Sequence, residues 1–274
     1  MKPIYFDLGI LPVGKYCDLM CKGCFQRVKI WKDFLDVDSS VISHLEKLGF
    51  SQCFIGGGEP LLHDNLREIL ERLSKTFFIR YLLTHGYNLS DYSYLSEYAE
   101  TIVVSVDPMH KRAMEKKYRT VLYPNDIFSS VGNGAFHRSV RINSVISCSS
   151  EMPFFYKLAQ YISRSKNVKG WNIYRNTSSG ISDSEYLRIV DALNNSSALS
   201  FQVEPKIPSE LFIQILVFPD LSAESYSFNS NGALMKKHCK DVTIFMSQEE
   251  FLAEIGRIHG KNGSFSQIYR SNEK

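Results

Sequence analysis

The sequence is short of several things, and each shortage excludes a class of protein. It has no apolar run long enough to cross a bilayer. Its first segment, MKPIYFDLGILPVGKYC, is broken by Asp7, Pro12 and Gly14, so it does not read as a secretory leader either. Neither sign of charge dominates. Lys and Arg number 32 against 29 Asp and Glu, and a net charge of +3 with a pI near 8.4 is too weak to argue for nucleic acid. Cysteine is too sparse for a disulfide framework: six in 274 residues, at 17, 21, 24, 53, 148 and 239. There is no internal repeat and no low-complexity tract. A hydrophobic content of 44% is ordinary for a folded chain and excludes disorder along most of the length. These absences together predict a cytoplasmic protein in reducing surroundings, with no membrane partner.

What is present is alternation. Short β-rich runs at 4–10, 52–57, 77–84, 101–107, 139–147 and 169–175 are separated by amphipathic stretches at 39–50, 64–75, 90–100, 153–165 and 183–195. Asp38 is placed to cap the first helix. Six such units imply a mostly parallel sheet, because parallel strands need crossover connections. They cover roughly residues 4–195, too few for a closed eightfold barrel, which takes about 250. The expected fold is therefore α/β, a partial (β/α)6 barrel over 1–196, with a C-terminal α+β extension over 197–274. In the extension, 199–205, 211–219 and 242–246 read as strands. Residues 225–232 read as a polar turn region, and 247–259 as a helix opened by a Ser247/Glu250 capping box. Residues 197–246 are expected to cover the open side of the barrel.

Half of the cysteines are crowded into KYCDLMCKGCF, where Cys17, Cys21 and Cys24 fall at C-x3-C-x2-C spacing. A structural zinc ion wants four ligands. So does an ordinary iron–sulfur cluster. Three thiolates on a cubane of four irons leave one iron open to a substrate or cofactor. Two other readings stay open: a zinc site completed by His44, His63 or Cys53, and plain unpaired cysteines. The second informative segment is FIGGGEPLL at 54–62, at the end of the second strand. Glycines 56–58 let a ligand approach the backbone, Glu59 adds a carboxylate and Pro60 fixes the exit. Loops at the C-terminal ends of parallel strands share one face, so the cysteine loop and GGGEP open together.

This pair of motifs resembles the radical S-adenosylmethionine (SAM) superfamily, over roughly residues 4–175. The resemblance implies that Cys17, Cys21 and Cys24 hold a [4Fe–4S] cluster, and that Gly57, Gly58 and Glu59 meet the methionine part of SAM. It places Thr84, in LLTHGYNL, where the family often has a Thr-Asn-Gly turn, with His85 in place of Asn. Ser105 and Asp107 would reach toward the ribose or carboxylate, and Asn143 toward the ribose. Ile173 to Arg175 would border the adenine. Members often carry an aromatic residue just before the third cysteine; here Gly23 stands there and Phe25 follows, so Phe25 is the candidate adenine contact. The chemistry implied is reductive cleavage of SAM to a 5′-deoxyadenosyl radical, which takes hydrogen from an organic substrate. Such chemistry requires an electron donor such as flavodoxin or ferredoxin.

Little in the sequence narrows the substrate. No set of further cysteines suggests a second cluster, and no segment suggests a cobalamin domain. Cys239, in MKKHCKD, is a candidate hydrogen-atom donor, against the reading of a simple thiol. Lys111, Arg112, Lys116, Lys117 and Arg119 read as a solvated helix face or an anion contact, and His110 as a loop residue near the site. A small metabolite or natural-product precursor, such as a nucleotide or sugar, is the leading substrate expectation. The alternatives are a peptide or protein maturase, disfavoured because no peptide-binding domain precedes residue 1, and a non-enzymatic, zinc-stabilised binding protein.

Overall fold

The computed structural model describes residues 4–22, 24, 39–119, 125–132, 139–176, 181–196, 199–206, 212–218, 222–228, 234–239, 247–260 and 265–267. The elements in chain order are β1 (Ile4–Ile10), α1 (Ser39–Lys47), β2 (Gln52–Ile55), α2 (Leu66–Ser74), β3 (Phe78–Thr84), α3 (Leu95–Tyr98), β4 (Thr101–Ser105), α4 (Pro108–Tyr118), α5 (Asn125–Gly132), β5 (Ser139–Ile146), α6 (Met152–Arg164), β6 (Val168–Arg175), α7 (Asp183–Ser196), β7 (Val203–Lys206), β8 (Phe212–Val217), β9 (Ala223–Phe228), β10 (Leu234–Cys239), α8 (Gln248–Ile258) and β11 (Phe265–Gln267). Among the described residues, no helix is long and apolar enough to cross a membrane.

One curled sheet organises all of this, in the order β10-β9-β8-β1-β2-β3-β4-β5-β6-β7. From β8 through β7 every neighbouring pair is parallel, which is the expected partial barrel. The six βα units stand in sequence order because each helix returns the chain to start the next strand alongside the last. Residues beyond 196 join both edges of the sheet. β7 pairs with β6, and Asn194 at the end of α7 brackets Val203 by accepting from its N–H at 2.7 Å and donating to its C=O at 3.3 Å. At the other edge β8 lies parallel to β1, with β9 and β10 antiparallel beyond it.

Two expectations about the extension change. Residues 223–228 form β9, not a polar turn. Ser225 and Ser227 are buried because the His259 ring, just past α8, bonds both hydroxyls at 2.8 Å. β10 carries no strand signal in the sequence, yet it pairs with β9 from Leu234 to Cys239. The strand expected at 242–246 and the Asp38 cap lie outside the described residues. The Ser247 cap is present, its hydroxyl accepting from Glu250 N–H at 3.2 Å.

The core has two parts. The larger lies between the sheet and its helices, where β5 shows the strict alternation that buries Val140, Ile142, Ser144 and Ile146. α6 supplies Phe155, Leu158, Ala159 and Ile162, one helical stripe. Trp171 is fully buried there, stacked on Phe155 with ring centres 6.1 Å apart, and donates to Ser144 Oγ at 2.9 Å. The smaller cluster joins Leu11, Phe54, Leu216 and Tyr226 with Tyr81, Leu83 and Phe218. It contains only strand and strand-end residues, so it fills the concave face away from the helices. Trp171→Ala should cost about 3–5 kcal/mol in urea unfolding. A loss below about 1 kcal/mol would contradict this packing.

Candidate active site

The cysteine loop leaves β1 and folds back onto the end of β2. Gly14, in the left-handed region at φ +54°, closes a turn by donating to Leu11 C=O at 2.9 Å. Three further backbone bonds then join the two segments: Gly56 N–H to Ile10 C=O at 3.1 Å, Gly58 N–H to Gly14 C=O at 3.0 Å, and Glu59 N–H to Tyr16 C=O at 2.8 Å. The approach is so close that a Cβ on Gly58 would lie 1.7 Å from the Tyr16 carbonyl oxygen, and one on Gly57 2.7 Å from that of Gly14. The glycines are thus required by the cysteine loop itself, a reason beyond access for a ligand.

Glu59 is 1% exposed, and a carboxylate buried that deeply must be compensated by donors. Its Oε1 accepts from Leu61 N–H at 3.1 Å and Thr84 Oγ at 2.7 Å, and its Oε2 from His85 N–H at 2.7 Å. Thr84 Oγ accepts in turn from Gly86 N–H at 2.9 Å, so it ties the turn after β3 to Glu59. His85 carries the connection to the cysteine loop. Its Nδ1 accepts from Tyr87 N–H at 3.2 Å, which leaves the proton on Nε2 to be donated to Asp18 Oδ1 at 3.0 Å. The histidine that stands where the resemblance implied an Asn is therefore a strut between β3 and the cysteine loop, a role the sequence alone did not suggest.

Further round the sheet, Asp107 caps α4. Its Oδ1 accepts from Met109 and His110 N–H, both at 2.9 Å, and its Oδ2 from Val145 N–H at 3.3 Å. Burial works against ionisation of Asp107, but the adjacent His110 and these N–H donors outweigh it and hold the carboxyl below its ordinary value. Burial likewise disfavours a charged His110, but Asp107 at 3.0 Å, and the Cys21 thiol within hydrogen-bond reach, push its pKa well above the usual histidine value. His110 thus links α4 to the second cysteine. Its i, i+3 spacing from Asp107 at a helix start was the available signal. Ser105 and Asn143 sit opposite each other in the β4–β5 register. Asn143 Oδ1 accepts from Asn172 Nδ2 at 2.8 Å. Asn172 Oδ1 accepts from Arg141 at 3.3 Å, and Arg141 also donates to Glu204 Oε1 at 2.7 Å. This polar row crosses β5, β6 and β7.

The fourth side of the site comes from the extension. Glu224 on β9 is 6% exposed. Its Oε1 lies 2.6 Å from Lys15 Nζ, 2.7 Å from Lys236 Nζ and 3.6 Å from His238 Nδ1, and its Oε2 accepts from the Tyr226 hydroxyl. Burial would raise the Glu224 pKa, but the lysines and Tyr226 overcome it and bring it down to about 2.

The donor set at the loop fits a three-cysteine cluster. Cys17 is buried, and Cys21 and Cys24 are half-buried. Cys24 N–H donates to Cys21 C=O at 3.2 Å, and Leu19 N–H points to Cys17 Sγ at 3.4 Å. Burial, then the Glu59 charge, pushes the Cys17 thiol up, so it holds its proton until a metal replaces it. Cys17, Asp18 and His85 have ligand atoms within 4.8 Å of one another and are the candidate for a fourth-ligand site. Both His85 nitrogens are already committed, one as acceptor and one as donor, so its ring has no lone pair for an ion. Cys53 is buried within β2, where burial pushes its thiol up as well.

Of the residues named from sequence, Cys17, Cys21, Cys24, Gly57, Gly58, Glu59 and Thr84 gather at the ends of β1 to β3, and Ser105, Asp107 and Asn143 stand on or just after the adjoining β4 and β5. Phe25 and Gly23 lie outside the described residues. Cys239 ends β10, its backbone paired with Ala223 at the same end of the sheet but on the outermost strand.

No protein-family model matches the chain. A curated relative, the S-adenosylmethionine-dependent nucleotide dehydratase of Lacinutrix mariniflava, is 24% identical over 204 residues, 64% of this chain and 42% of its own. The chain thus spans about two fifths of that relative's length. Among solved structures, Streptococcus suis SuiB bound to S-adenosylmethionine superposes with a TM-score of 0.62 at 12% identity, covering 80% of this chain and 60% of SuiB. anSMEcpe with bound AdoMet gives 0.56 at 16% identity, covering 90% and 80%. The partial barrel is the fold of these SAM-binding proteins, and the resemblance drawn from the two motifs extends to the architecture.

Gly58→Ala should destabilise the apoprotein by more than about 2 kcal/mol in thermal unfolding, and should lower the iron retained per chain after anaerobic reconstitution. Normal iron content would show that the close loop contact is dispensable. Glu224 predicts an acid transition. Its folded pKa of about 2 lies below its ordinary 4.5. The stability it contributes is complete above pH 4.5 and is lost as pH falls from there toward 2. The loss should reach about 3 kcal/mol, from 1.36 kcal/mol per pKa unit. Urea unfolding as a function of pH should show this slope, and Glu224→Gln should remove it.

Proposed function

We propose that this chain is a radical SAM enzyme acting on a small organic substrate. The observation that carries the reading is the loop: three cysteines at C-x3-C-x2-C, docked by backbone bonds onto GGGEP, beside a His85 ring whose two nitrogens are already committed. Cys17, Cys21 and Cys24 would hold a [4Fe–4S] cluster, which when bound and reduced supplies the electron that splits SAM into methionine and a 5′-deoxyadenosyl radical. The chain's own residues bind and orient. Glu59, fixed by Thr84 and His85, sets the position of the glycine backbone. Asn143 spends its carbonyl on Asn172 and keeps its N–H2 to donate to a ribose hydroxyl. The concave cluster around Phe54 and Tyr81 keeps water from the reacting carbon. The chemistry so supplied would be removal of a hydrogen atom from a substrate C–H, with 5′-deoxyadenosine as a product. A reducing partner such as flavodoxin or ferredoxin would supply the electron.

The curated relative favours a nucleotide among small substrates. A peptide is the second reading, favoured by the solved forms of SuiB bound to its precursor peptide SuiA and anSMEcpe with Cp18Cys peptide. Anaerobic reconstitution with iron and sulfide should give a brown chromophore, and dithionite plus SAM should then release 5′-deoxyadenosine. Alanine at Cys17, Cys21 or Cys24 should abolish both. A single zinc ion with four protein ligands at these sulfurs would overturn the reading.

A further inference from the structure

The cluster on β9 and β10 has more positive charge than its carboxylate can neutralise. Among the described residues, Lys15 and Lys236 both address the same oxygen of Glu224, at 2.6 and 2.7 Å, so two ammoniums share one anion and leave a surplus of +1 before His238 is counted. The two ammonium nitrogens meet at one carboxylate oxygen, so they repel each other at close range. Burying a charged side chain without a full complement of partners is expensive. Nevertheless neither lysine is sealed off. The Lys15 side chain is 20% exposed, Lys236 34% and His238 70%, so a solute can reach all three. Their position is what gives them meaning. Lys15 is two residues before Cys17, lies 5.5 Å over the Phe218 ring, and sits where β8 and β1 end together.

We propose that Lys15 and Lys236, with His238 at the rim, form a seat for an oxyanion of the substrate, a phosphoryl or carboxylate group, beside the cysteine loop. Glu224 is the positioning residue: it holds the two ammoniums converged, and its single charge leaves room for a second anion. The seat specifies an anionic substrate and thereby deepens the proposed function, on which it rests. Each ammonium spends one of its three N–H donors on Glu224 and can offer another to the incoming oxygens.

The test uses the full chain, reconstituted anaerobically, with tripolyphosphate and citrate as separate probes in isothermal titration calorimetry. At least one probe should bind, more weakly as salt rises. Lys15→Met and Lys236→Met should each weaken binding tenfold or more. Glu224→Gln keeps an oxygen to accept from the lysines and deletes the competing charge, its NH2 donating to the Tyr226 hydroxyl instead of accepting from it, so it should tighten binding severalfold. A purely structural ion pair predicts no gain in affinity. Tighter binding of tripolyphosphate identifies a phosphoryl group and tighter binding of citrate a carboxylate. No binding of either probe, or binding indifferent to both lysine substitutions, would overturn the seat. Release of 5′-deoxyadenosine by the unsubstituted chain without substrate is measured in parallel. Its loss would sink the radical reading, while probe binding alone decides the seat.

Discussion

Everything at the open end of this barrel depends on how closely two backbones meet. The cysteine loop and the GGGEP segment are in contact along Gly14 to Tyr16 and Gly56 to Glu59, with main-chain bonds of 2.8 to 3.1 Å and no room for a side chain between them. Loops are usually the mobile part of a fold. Here the loop is pinned to the rigid end of β2, so the three sulfurs inherit the precision of the sheet. A cluster held by only three residues would need this precision in its ligands.

The buried Glu59 extends that constraint laterally. Its carboxylate collects the N–H of Leu61, the Thr84 hydroxyl and the N–H of His85, and the His85 ring passes the connection to Asp18 within the cysteine loop. A closed circuit results: β1 loop, β2 end, β3 end and back to the loop. Removing any member would strand a buried donor or acceptor, which costs more than the bond itself is worth. Beyond β3, the His110 ring lies 3.0 Å from Asp107 at the start of α4. The cysteine loop is thus braced from the ends of β2 and β3.

Much of this was readable from the sequence, and the exceptions have physical causes. The first six strands were visible because each alternates or runs apolar between turn residues, and α1, α2, α3, α6 and α7 because their apolar positions repeat at 3.6, whereas α5 was not read. GGGEP and the cysteine spacing are local patterns, so the loops carrying the site were legible too. β9 was not. In SYSF the polar residues that suggest a turn are buried, and only His259, more than thirty residues on, makes that tolerable. β10, with MKKHC, reads as solvent-facing chain because the carboxylate that gathers Lys236 sits on a different strand. His85 looked like a departure from a motif, and only the tautomer imposed by Tyr87 shows it to be a strut. What sequence cannot reveal in each case is a non-local partner.

That same non-locality explains why the extension matters to the site. β8 is the strand that pairs with β1 on the side opposite β2, so the extension is laid directly against the strand that launches the cysteine loop. β9, antiparallel to β8, then brings Glu224 to Lys15. The interaction fixes the register of two strands relative to the loop, since a one-residue slip of β9 would send Glu224 to the opposite face. It would also expose the Ser225 and Ser227 hydroxyls to the concave side and break their bonds to His259. Alternation on a single strand therefore serves both faces at once: serines to the helix, carboxylate and tyrosine to the site. Hence the chemistry at the cysteines and the docking of α8 cannot vary independently.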